Sequence, residues 1–338
     1  MLGLRGRVKE KILELLSKHK NGLRQADIVR VLNVSRSYVS EVMKEFVRRG
    51  IVKKIIDSGI TKYVLVERNV EEEEKPRILR IGFIWSSEYP FLTYFCKNLK
   101  IEENIHADAL VYSNALDATW DLVNNKIHLV LSPVITQFLY GTLTKNIVII
   151  AGGASGGAGL YINKSCNLEI GISSQVSTMD LMLTYTLKEL GVTDYRKYYG
   201  LSGDEVFMAI ASCRARYAAL WEPLATRLER MGFKREYSLD DIGLPHCCTL
   251  AVSRRIPVEY RSIIRRHYVR AIEEFVRKPD NALGWYSLKT GIPVTLLKDT
   301  IKSYTYKPYI ELKETIKTLH KIGLSIPYPD TLVEYIEQ

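Results

Sequence analysis

The 338-residue sequence predicts an α/β protein in which a small basic N-terminal unit precedes a larger, near-neutral body. Two observations predict this division. Residues 1–68 carry 16 Lys and Arg against 7 Asp and Glu, whereas the remaining residues carry 32 against 31. From residue 78 onward, short apolar runs alternate with segments of helical spacing, which is typical of a mostly parallel sheet covered by helices. Positive charge concentrated in one small unit favours a polyanionic partner.

Composition narrows the class of protein. Apolar residues make up 46% of the chain and charged residues 25%, as in globular rather than disordered or fibrous proteins. No apolar run approaches the roughly 20 residues of a membrane span, and no signal-peptide pattern is present, so we expect a cytoplasmic protein with no membrane partner. The five cysteines form no CxxC pair and no even framework, so neither a zinc knuckle nor a disulfide scaffold is indicated and reduced thiols are expected. No metal site and no cofactor are predicted. Abundant charge, Tyr and Ile hint at a thermophilic or archaeal source.

Three helices are predicted in the basic unit. The segment "VKEKILELLSKHKNG" has apolar residues at helical spacing and ends at Gly22. The next segment predicts a short helix ending near Leu32, a turn at Asn33 and Val34, and a second helix capped by Ser35. On that second helix one face should be buried, and it comprises Val39, Val42, Met43, Phe46 and Val47.

Next, "IVKKIIDSGITKYVLVE" predicts a hairpin that turns at residues 57–59. A helix, a helix-turn-helix and a basic hairpin make a winged helix-turn-helix, and the order of parts resembles that of bacterial and archaeal winged-helix regulators. In such units the second helix of the pair lies in the major groove and the wing neutralises phosphates. A winged helix used for protein interaction is the alternative. We expect double-stranded DNA to contact Arg24, Arg36, Ser37, Tyr38, Ser40, Lys44, Lys53, Lys54 and Lys62.

An acidic segment separates the predicted units. Four consecutive glutamates, residues 71–74, precede Pro76, and a like-charge run followed by proline favours an extended linker over a helix. The sequence therefore predicts a winged helix-turn-helix at 1–68, a linker at 69–77 and a ligand-binding domain at 78–338. Screening of the basic unit by the acidic run is the minor alternative.

Several stretches of the body resemble one family. The order of "SSEYP", "ALDATWDLVNNKIHLVLSPV", "AALWEP" and "AIEEFVRKPDNALGWYSLKTGIP" is similar to that in type II periplasmic binding proteins, nearest to sulfonate and taurine receptors and thiamine-pyrimidine-synthesis proteins. The resemblance covers about residues 78–310. It implies two α/β lobes that close on a small ligand, with the second lobe at about residues 165–240 and a return crossing near "GLPHCCTLAVS".

Polar residues recur where the predicted strands end. Ligands of open α/β sheets bind beyond the carboxyl ends of strands, where backbone N–H groups are free, although a helix cap explains any single serine. Neutral donors of this kind suit a small polar or anionic ligand. The selected residues are Ser86, Ser87, Tyr89, Ser113, Asn114, Ser132, Gly152, Gly153, Ser155, Ser173, Ser174 and Ser177. The glycines belong to "GGASGGAG", which lacks the Lys-Ser/Thr of a nucleotide-binding loop and predicts a crossover or cleft-lining loop.

Three further residues come from the resemblance and its motifs. In the resembling family "ALWEP" faces the cleft, which implies that Trp221 forms a wall and Glu222 accepts a hydrogen bond, with core packing as the alternative for Trp221. His246, followed by Cys247 and Cys248, could supply a base, a thiolate or a soft metal site. Adjacent cysteines on a strand are expected on opposite faces, so an inert hinge strand is the commoner interpretation.

Two functions follow from these patterns. The first is a DNA-binding transcription regulator whose two-lobed domain senses a small polar metabolite, as LysR-type regulators combine a winged helix with this fold. The acidic linker differs from their long dimerising helix. The alternative is an enzyme resembling those of thiamine-pyrimidine synthesis that carries a DNA-binding unit. A single winged helix makes few base contacts, so a homodimer on a pseudo-palindromic operator is expected.

Overall fold

The computed structural model describes residues 4–19, 22–48, 52–57, 60–65 and 78–335. The chain divides into two compact units, residues 1–74 and 75–338, and each is described here by itself. The predicted linker at 69–77, the turn residues 58 and 59, and the chain beyond residue 335 lie outside the described residues.

The N-terminal unit has three helices followed by a two-stranded antiparallel hairpin. Ser35 lies before the third helix and its hydroxyl accepts a hydrogen bond from the backbone N–H of Tyr38 at 3.3 Å, while Asn33 has a left-handed backbone with φ 51°. The predicted cap and turn are therefore present. The elements are α1 (Leu4–Ser17), α2 (Gln25–Leu32), α3 (Arg36–Arg48), β1 (Val52–Asp57) and β2 (Ile60–Leu65).

A small apolar core holds this unit together. Ile12 and Leu16 of α1 and Ile28 of α2 pack on the buried face of α3. Four of the five residues predicted on that face are buried, but Val47 is 40% exposed and its prediction is wrong. Val47 lies in the last turn of α3, near the edge of the predicted apolar stripe.

The body contains a six-stranded and a five-stranded sheet. In the first lobe the strand order is β13 (Tyr304–Lys307), β6 (Ile147–Gly156), β12 (Cys248–Ser253), β5 (Leu129–Pro133), β3 (Ile78–Ile84) and β4 (His106–Tyr112). Strands β3, β4 and β5 are parallel, and both β6 and β13 are antiparallel to their neighbours. The elements before the first crossing are β3 (Ile78–Ile84), α4 (Leu92–Glu102), β4 (His106–Tyr112), α5 (Ala115–Val123), β5 (Leu129–Pro133), α6 (Val134–Thr144) and β6 (Ile147–Gly156).

The chain enters the second lobe directly after β6. Gly156 and Gly157 have positive φ angles and turn the chain between β6 and the next strand, β7. Its sheet has the order β11-β7-β10-β8-β9 and begins a few residues before the expected start at 165. The elements are β7 (Ala158–Ile162), β8 (Ile170–Ser174), α7 (Thr178–Glu189), β9 (Arg196–Gly200), α8 (Gly203–Ala211), β10 (Tyr217–Trp221), α9 (Leu224–Arg230), β11 (Arg235–Ser238) and α10 (Leu239–Ile242).

The chain then returns to the first lobe and ends in a mainly helical segment. Strand β12 enters the six-stranded sheet between β5 and β6, which makes the return crossing a central strand. The C-terminal segment also adds an edge strand, β13, that its helical pattern did not predict. The elements are β12 (Cys248–Ser253), α11 (Val258–Arg277), α12 (Asp280–Thr290), α13 (Val294–Thr300), β13 (Tyr304–Lys307) and α14 (Leu312–Lys321).

The glycine-rich stretch is a strand rather than the predicted loop. Gly152 and Gly153 lie inside β6, between β13 on one side and β12 on the other. A Cβ at Gly152 would collide with the backbone oxygen of Lys307, and one at Gly153 with that of Cys248. These glycines permit the close approach of neighbouring backbone, and loop flexibility does not explain them.

Cys166 and Cys213 form a disulfide, so the expectation of reduced thiols is wrong for this pair. Cys166 lies between β7 and β8, and Cys213 between α8 and β10, at the ends of the strands away from Ser174 and Trp221. The 47-residue separation gave no recognisable spacing, because folding alone brings the two loops together. Cys96, Cys247 and Cys248 are free thiols.

Within the described residues, no helix combines the length and apolar character that crossing a membrane requires.

Candidate nucleic-acid interface and interlobe cleft

The outward face of α3 is the candidate nucleic-acid interface. Arg36, Ser37 and Lys44 are exposed, and Ser40 is half-buried. Tyr38 packs against the core of the unit, which matches a packing role more than a base contact. A basic, solvent-facing helix of this kind presents donors to phosphates and to base edges.

The structure limits how Arg24 and the hairpin lysines can contact DNA. Arg24 precedes α2 and its Nε lies 2.9 Å from an Asp27 carboxylate oxygen, so part of its charge is already paired. In the hairpin Lys62 lies opposite Ile55, which has the same side-chain direction as Lys53. Lys53 and Lys62 therefore share one face of the wing, and Lys54 lies on the other.

The cleft between the lobes of the body contains a cavity of about 40 Å³. It lies beyond the carboxyl ends of β3, β5, β8 and β10, as the rule for open α/β sheets predicts. The described lining residues include no Lys or Arg. They are Ile84, Ser86, Glu88, Tyr89, Asn114, Ala115, Pro133, Ser174, Ser177, Thr178, Met179, Trp221, Cys247 and Cys248.

Hydrogen bonds join the two lobes around this cavity. Trp221 Nε1 donates to the backbone oxygen of Trp85 at 2.9 Å, and Thr136 Oγ1 donates to that of Val176 at 2.6 Å. Thr178 Oγ1 donates to the backbone oxygen of Cys247 at 3.2 Å. These bonds connect residues that would separate if the lobes opened, so the structure is a closed form of the cleft.

Six of the predicted ligand-binding residues line the cavity, namely Ser86, Tyr89, Asn114, Ser174, Ser177 and Trp221. Two of them also cap helices: Asn114 accepts from the Asp117 N–H and Ser177 from the Asp180 N–H. Ser113 lines a second cavity of about 300 Å³ that shares Trp221 with the first. The remaining predicted residues do not line the first cavity, and they are Ser87, Ser132, Gly152, Gly153, Ser155, Ser173, Glu222 and His246.

Structural bonds account for two of these exceptions. The Ser132 hydroxyl lies 2.9 Å from Thr119 Oγ1 and accepts from Gln137 Nε2 at 3.2 Å. Glu222 is fully buried and accepts from the backbone N–H of Thr226 and from Arg235 Nη2 at 3.1 Å. Both oxygens of this buried carboxylate are thus occupied by partners within the body, and Glu222 does not line the cavity.

Glu88 is a lining residue that the sequence prediction passed over. It is 4% exposed, and its Oε1 has no hydrogen-bond partner among the described residues. Burial raises the pKa of its carboxyl well above the usual range, and the nearby Cys247 thiol adds to this. The signal was present in the sequence, because Glu88 is the acidic member of "SSEYP" directly after β3, but only the hydroxyl-bearing residues of that motif were predicted to bind a ligand.

Tyrosines from the C-terminal segment hold the loop that carries Glu88. Tyr286 donates its hydroxyl to the backbone oxygen of Ser86 at 2.7 Å, and Tyr306 donates to that of Glu88 at 3.1 Å. Burial raises the pKa of both phenols well above the usual range, so they remain neutral donors. The loop is thus fixed by the first lobe before any ligand contacts it.

Cys247 and Cys248 both line the cavity, which corrects the expectation that adjacent cysteines point to opposite faces. Cys248 is the first residue of β12 and Cys247 precedes the strand, so strand alternation does not separate them. Their sulfurs are 3.9 Å apart. A hydrogen bond from Cys248 lowers the pKa of the Cys247 thiol, whereas burial raises the pKa of Cys248.

His246 is fully buried and lies beside β6 and the segment after β13. Its Nε2 accepts a hydrogen bond from the backbone N–H of Glu311 at 3.0 Å, and the Gly153 N–H lies 3.4 Å from its Nδ1. Burial lowers the pKa of His246 to about 4, with smaller effects from Glu311 and Lys307. The imidazole is therefore neutral and is held by the backbone.

Comparison with known families identifies the N-terminal unit. Residues 11–55 match the model of the IclR helix-turn-helix domain. The match covers α2, α3, the second half of α1 and most of β1. A search of curated proteins by sequence finds no match to this chain.

Solved structures resemble the body. The ligand-binding component of an ABC-type import system from Staphylococcus aureus, with zinc bound, is 17% identical at a TM-score of 0.66 and covers 76% of this chain and 96% of its own. The alkanesulfonate-binding protein SsuA from Xanthomonas axonopodis pv. citri, bound to MOPS, is 14% identical at 0.63 and covers 77% and 99%. The periplasmic nitrate-binding protein NrtA from Synechocystis PCC 6803 is 10% identical at 0.65 and covers 76% and 84%.

The chain therefore joins an IclR-type helix-turn-helix domain to a two-lobed body with a periplasmic-binding-protein-like fold. The helix-turn-helix domain implies DNA binding and a role in transcription regulation.

Proposed function

We propose that the protein is a ligand-responsive transcription regulator, in which a small polar metabolite in the interlobe cleft changes the binding of double-stranded DNA by the N-terminal unit. The observation that carries the proposal is the closed cavity of the body, lined by polar groups of both lobes, in a chain that also contains a DNA-binding domain. A ligand that contacts both lobes favours the closed form by its differential affinity.

The chemistry of the lining narrows the class of metabolite. Two similar structures are named for sulfonate and nitrate binding. A cationic side chain in the lining would offset the charge of such an oxyanion in a buried site. Here the described lining residues offer hydroxyls, the Asn114 amide and the buried Glu88 carboxyl, and no Lys or Arg. We therefore propose a neutral or cationic ligand in place of an oxyanion, because the described lining offers no positive charge to offset an anion in a buried site.

The test uses the full-length chain and DNA fragments selected from a genomic library. Operator affinity would be measured with protein as purified and with protein unfolded and refolded to release bound molecules. The proposal expects the two preparations to differ in operator affinity. Native mass spectrometry should find a small molecule in the protein as purified that is absent after refolding. The substitution Ser174→Ala should reduce the response, whereas Ser262→Ala, on the outer helix α11, should not. Equal DNA binding by both preparations, with no response to a metabolite extract, would contradict it.

An enzyme of the thiamine-precursor type is the second candidate, and the Glu88 carboxyl beside two thiols is the observation in its favour. The role expected for His246 is disfavoured, because its Nε2 accepts a backbone hydrogen bond and the ring does not line the cavity. Turnover of a bound molecule that disappears in Cys247→Ser would support the enzyme. A change in affinity without turnover would support the sensor.

We further propose that the protein acts in the cytoplasm as a homodimer on a pseudo-palindromic operator. Half-sites should then be separated by about one helical turn, roughly 34–36 Å. Mass photometry of the full chain on its selected operator measures the number of copies bound. A single copy with a single half-site footprint would overturn this part of the proposal.

A further inference from the structure

We propose that Glu88, Cys247 and Cys248 form a binding site for a thiophilic divalent cation, with Zn²⁺ as the cation that fits best. The inference rests on the proposed ligand-binding role of the cleft and specifies its chemistry. The metal would itself be the effector, or it would bind to the first lobe and hold a metabolite that completes the effector.

The geometry of the cluster matches a tetrahedral metal. One carboxylate oxygen of Glu88 and the two cysteine sulfurs all lie within 4.8 Å of one another. The sulfurs are 3.9 Å apart. Two thiolates on a tetrahedral Zn²⁺, with bonds of about 2.3 Å, are separated by about 3.8 Å, so the sulfurs already span the required edge.

The surroundings of the cluster favour a cation. All three residues are buried, and Glu88 Oε1 has no hydrogen-bond partner among the described residues. The described lining of the cavity offers no Lys or Arg to pair with a carboxylate or a thiolate. Buried polar oxygens are rarely left without a partner, and a bound cation would supply one.

The ligand types select among cations. Magnesium and calcium bind all-oxygen sites, and two sulfurs exclude them as the preferred occupants. Zinc accepts both thiolate and carboxylate ligands, in sites where three protein ligands leave a fourth position open. The fully buried His246 is not a candidate for that position, since it lies outside the cavity lining and its Nε2 is bonded to the Glu311 N–H.

The open position faces the second lobe. Ser174, Ser177 and Thr178 line the same cavity from that side, and Thr178 Oγ1 bonds to the backbone oxygen of Cys247. A water or a small polar metabolite on the metal would therefore lie between a site fixed to the first lobe and hydroxyls of the second. This arrangement couples occupancy of the metal site to closure of the lobes.

The experiment titrates the full-length chain with Zn²⁺ alone, after metal is stripped in the absence of oxygen and of thiol reductant so that the Cys166–Cys213 disulfide stays intact. Native mass spectrometry should show one Zn²⁺ per chain, and Co²⁺ should give the near-ultraviolet charge-transfer absorption of a two-thiolate site. Cys247→Ser, Cys248→Ser and Glu88→Gln should each weaken Zn²⁺ binding by more than about 100-fold, since loss of a mere supporting partner costs up to about that much. Cys96→Ser, which changes the remaining free thiol, should leave binding unchanged.

A measurement on the unchanged protein avoids dependence on the folding of variants. Zn²⁺ should slow alkylation of Cys247 and Cys248 in the wild-type chain and leave alkylation of Cys96 unaffected. Absence of stoichiometric Zn²⁺ binding, binding that persists in the Cys247 and Cys248 variants, or a Co²⁺ spectrum without thiolate absorption would overturn the metal site. If metal binding fails while a metabolite still alters DNA binding, the regulator proposal survives. If Zn²⁺ binds but no ligand alters DNA binding, the metal site survives and the regulator proposal fails.

Discussion

The N-terminal unit and the interlobe cleft carry their polar groups in opposite ways. Arg36, Lys44 and Lys53 are exposed over an apolar core, whereas Glu88 and Cys247 are buried within the body. Exposed charges act through water, are screened by salt and act nearly independently. Buried groups act on each other at contact, and their protonation and bonding are linked to folding. The two regions should therefore respond to different perturbations.

The positions of the tryptophans allow unfolding of the body to be measured separately from the N-terminal unit. All four tryptophans, at positions 85, 120, 221 and 285, belong to the body. Tryptophan fluorescence consequently reports unfolding of the body alone, and DNA affinity reports the N-terminal unit.

The largest effect is expected from the disulfide, which lies in the body alone. Replacing both Cys166 and Cys213 by Ser opens a 47-residue loop and should lower the free energy of unfolding of the body by about 4 kcal/mol by loop entropy. Urea unfolding without reductant, followed by tryptophan fluorescence, measures this. Cys96→Ser is the control and should change little. If the double variant matched the wild type, the disulfide would not contribute in solution.

Acid should destabilise the body through His246. The unfolded chain takes up a proton near the ordinary pKa of about 6.5, whereas the folded ring does so only near about 4. Stability from this group is thus complete above about pH 6.5 and falls by about 3 kcal/mol as the pH drops to 4. His246→Gln keeps an acceptor for the Glu311 N–H and should flatten that part of the pH profile.

The matched variant also separates His246 from Glu88. The raised pKa of Glu88 has the opposite sign, because the folded state then holds a proton longer than the unfolded chain. Its contribution is common to the wild type and His246→Gln and cancels in their difference. An identical pH profile for both proteins would contradict the assignment to His246.

On the DNA-binding side, Arg36→Ala should cost about 2 kcal/mol of operator binding, the range for loss of a bidentate base contact. Binding to unrelated DNA should fall much less. Arg30→Ala removes the same charge from the exposed side of α2 and provides the control. Fluorescence anisotropy with operator and scrambled duplexes compares them. If Arg36→Ala and Arg30→Ala lost operator preference equally, or neither did, α3 would not read bases through Arg36.

The smallest effect is expected from single wing lysines, and it sharpens the picture of the exposed region. Lys53→Gln and Lys62→Gln should act alike, because the two side chains share one face of the hairpin. Each lost phosphate contact should lower the salt slope by about 0.9 and weaken binding to all sequences roughly fivefold. Lys54→Gln, on the opposite face, should differ from the pair. Equal effects of all three lysines would show that both faces of the wing contact phosphates.

Sequence patterns predicted local structure well wherever a single hydrophobic periodicity or a capping residue determines it. The buried face of α3 followed from Val39, Val42 and Met43, and the cap followed from Ser35. Alternating strands and helices predicted an α/β body, the resemblance to type II periplasmic binding proteins implied its two lobes, and the rule for open sheets predicted a site at the strand ends. The predicted burial of Val47 was wrong because this residue lies at the edge of the apolar face of α3, and helical periodicity does not define where that face ends.

What the sequence did not predict depends on distant parts of the chain. The glycines of β6 resemble a loop until the backbones of β12 and β13 lie against them. The disulfide joins loops that only the folded second lobe brings together. Glu88 and the two cysteines are about 160 residues apart in sequence, and neither segment by itself indicates a shared cavity.

The return crossing also gives the body a mechanical character. Cys247 and Cys248 line the cavity at the point where the chain returns from the second lobe and enters β12. A ligand at these sulfurs would thus bind beside one of the segments that connect the two lobes. An occupant of the cavity as small as one ion would therefore touch both the ligand site and the covalent connection between the lobes.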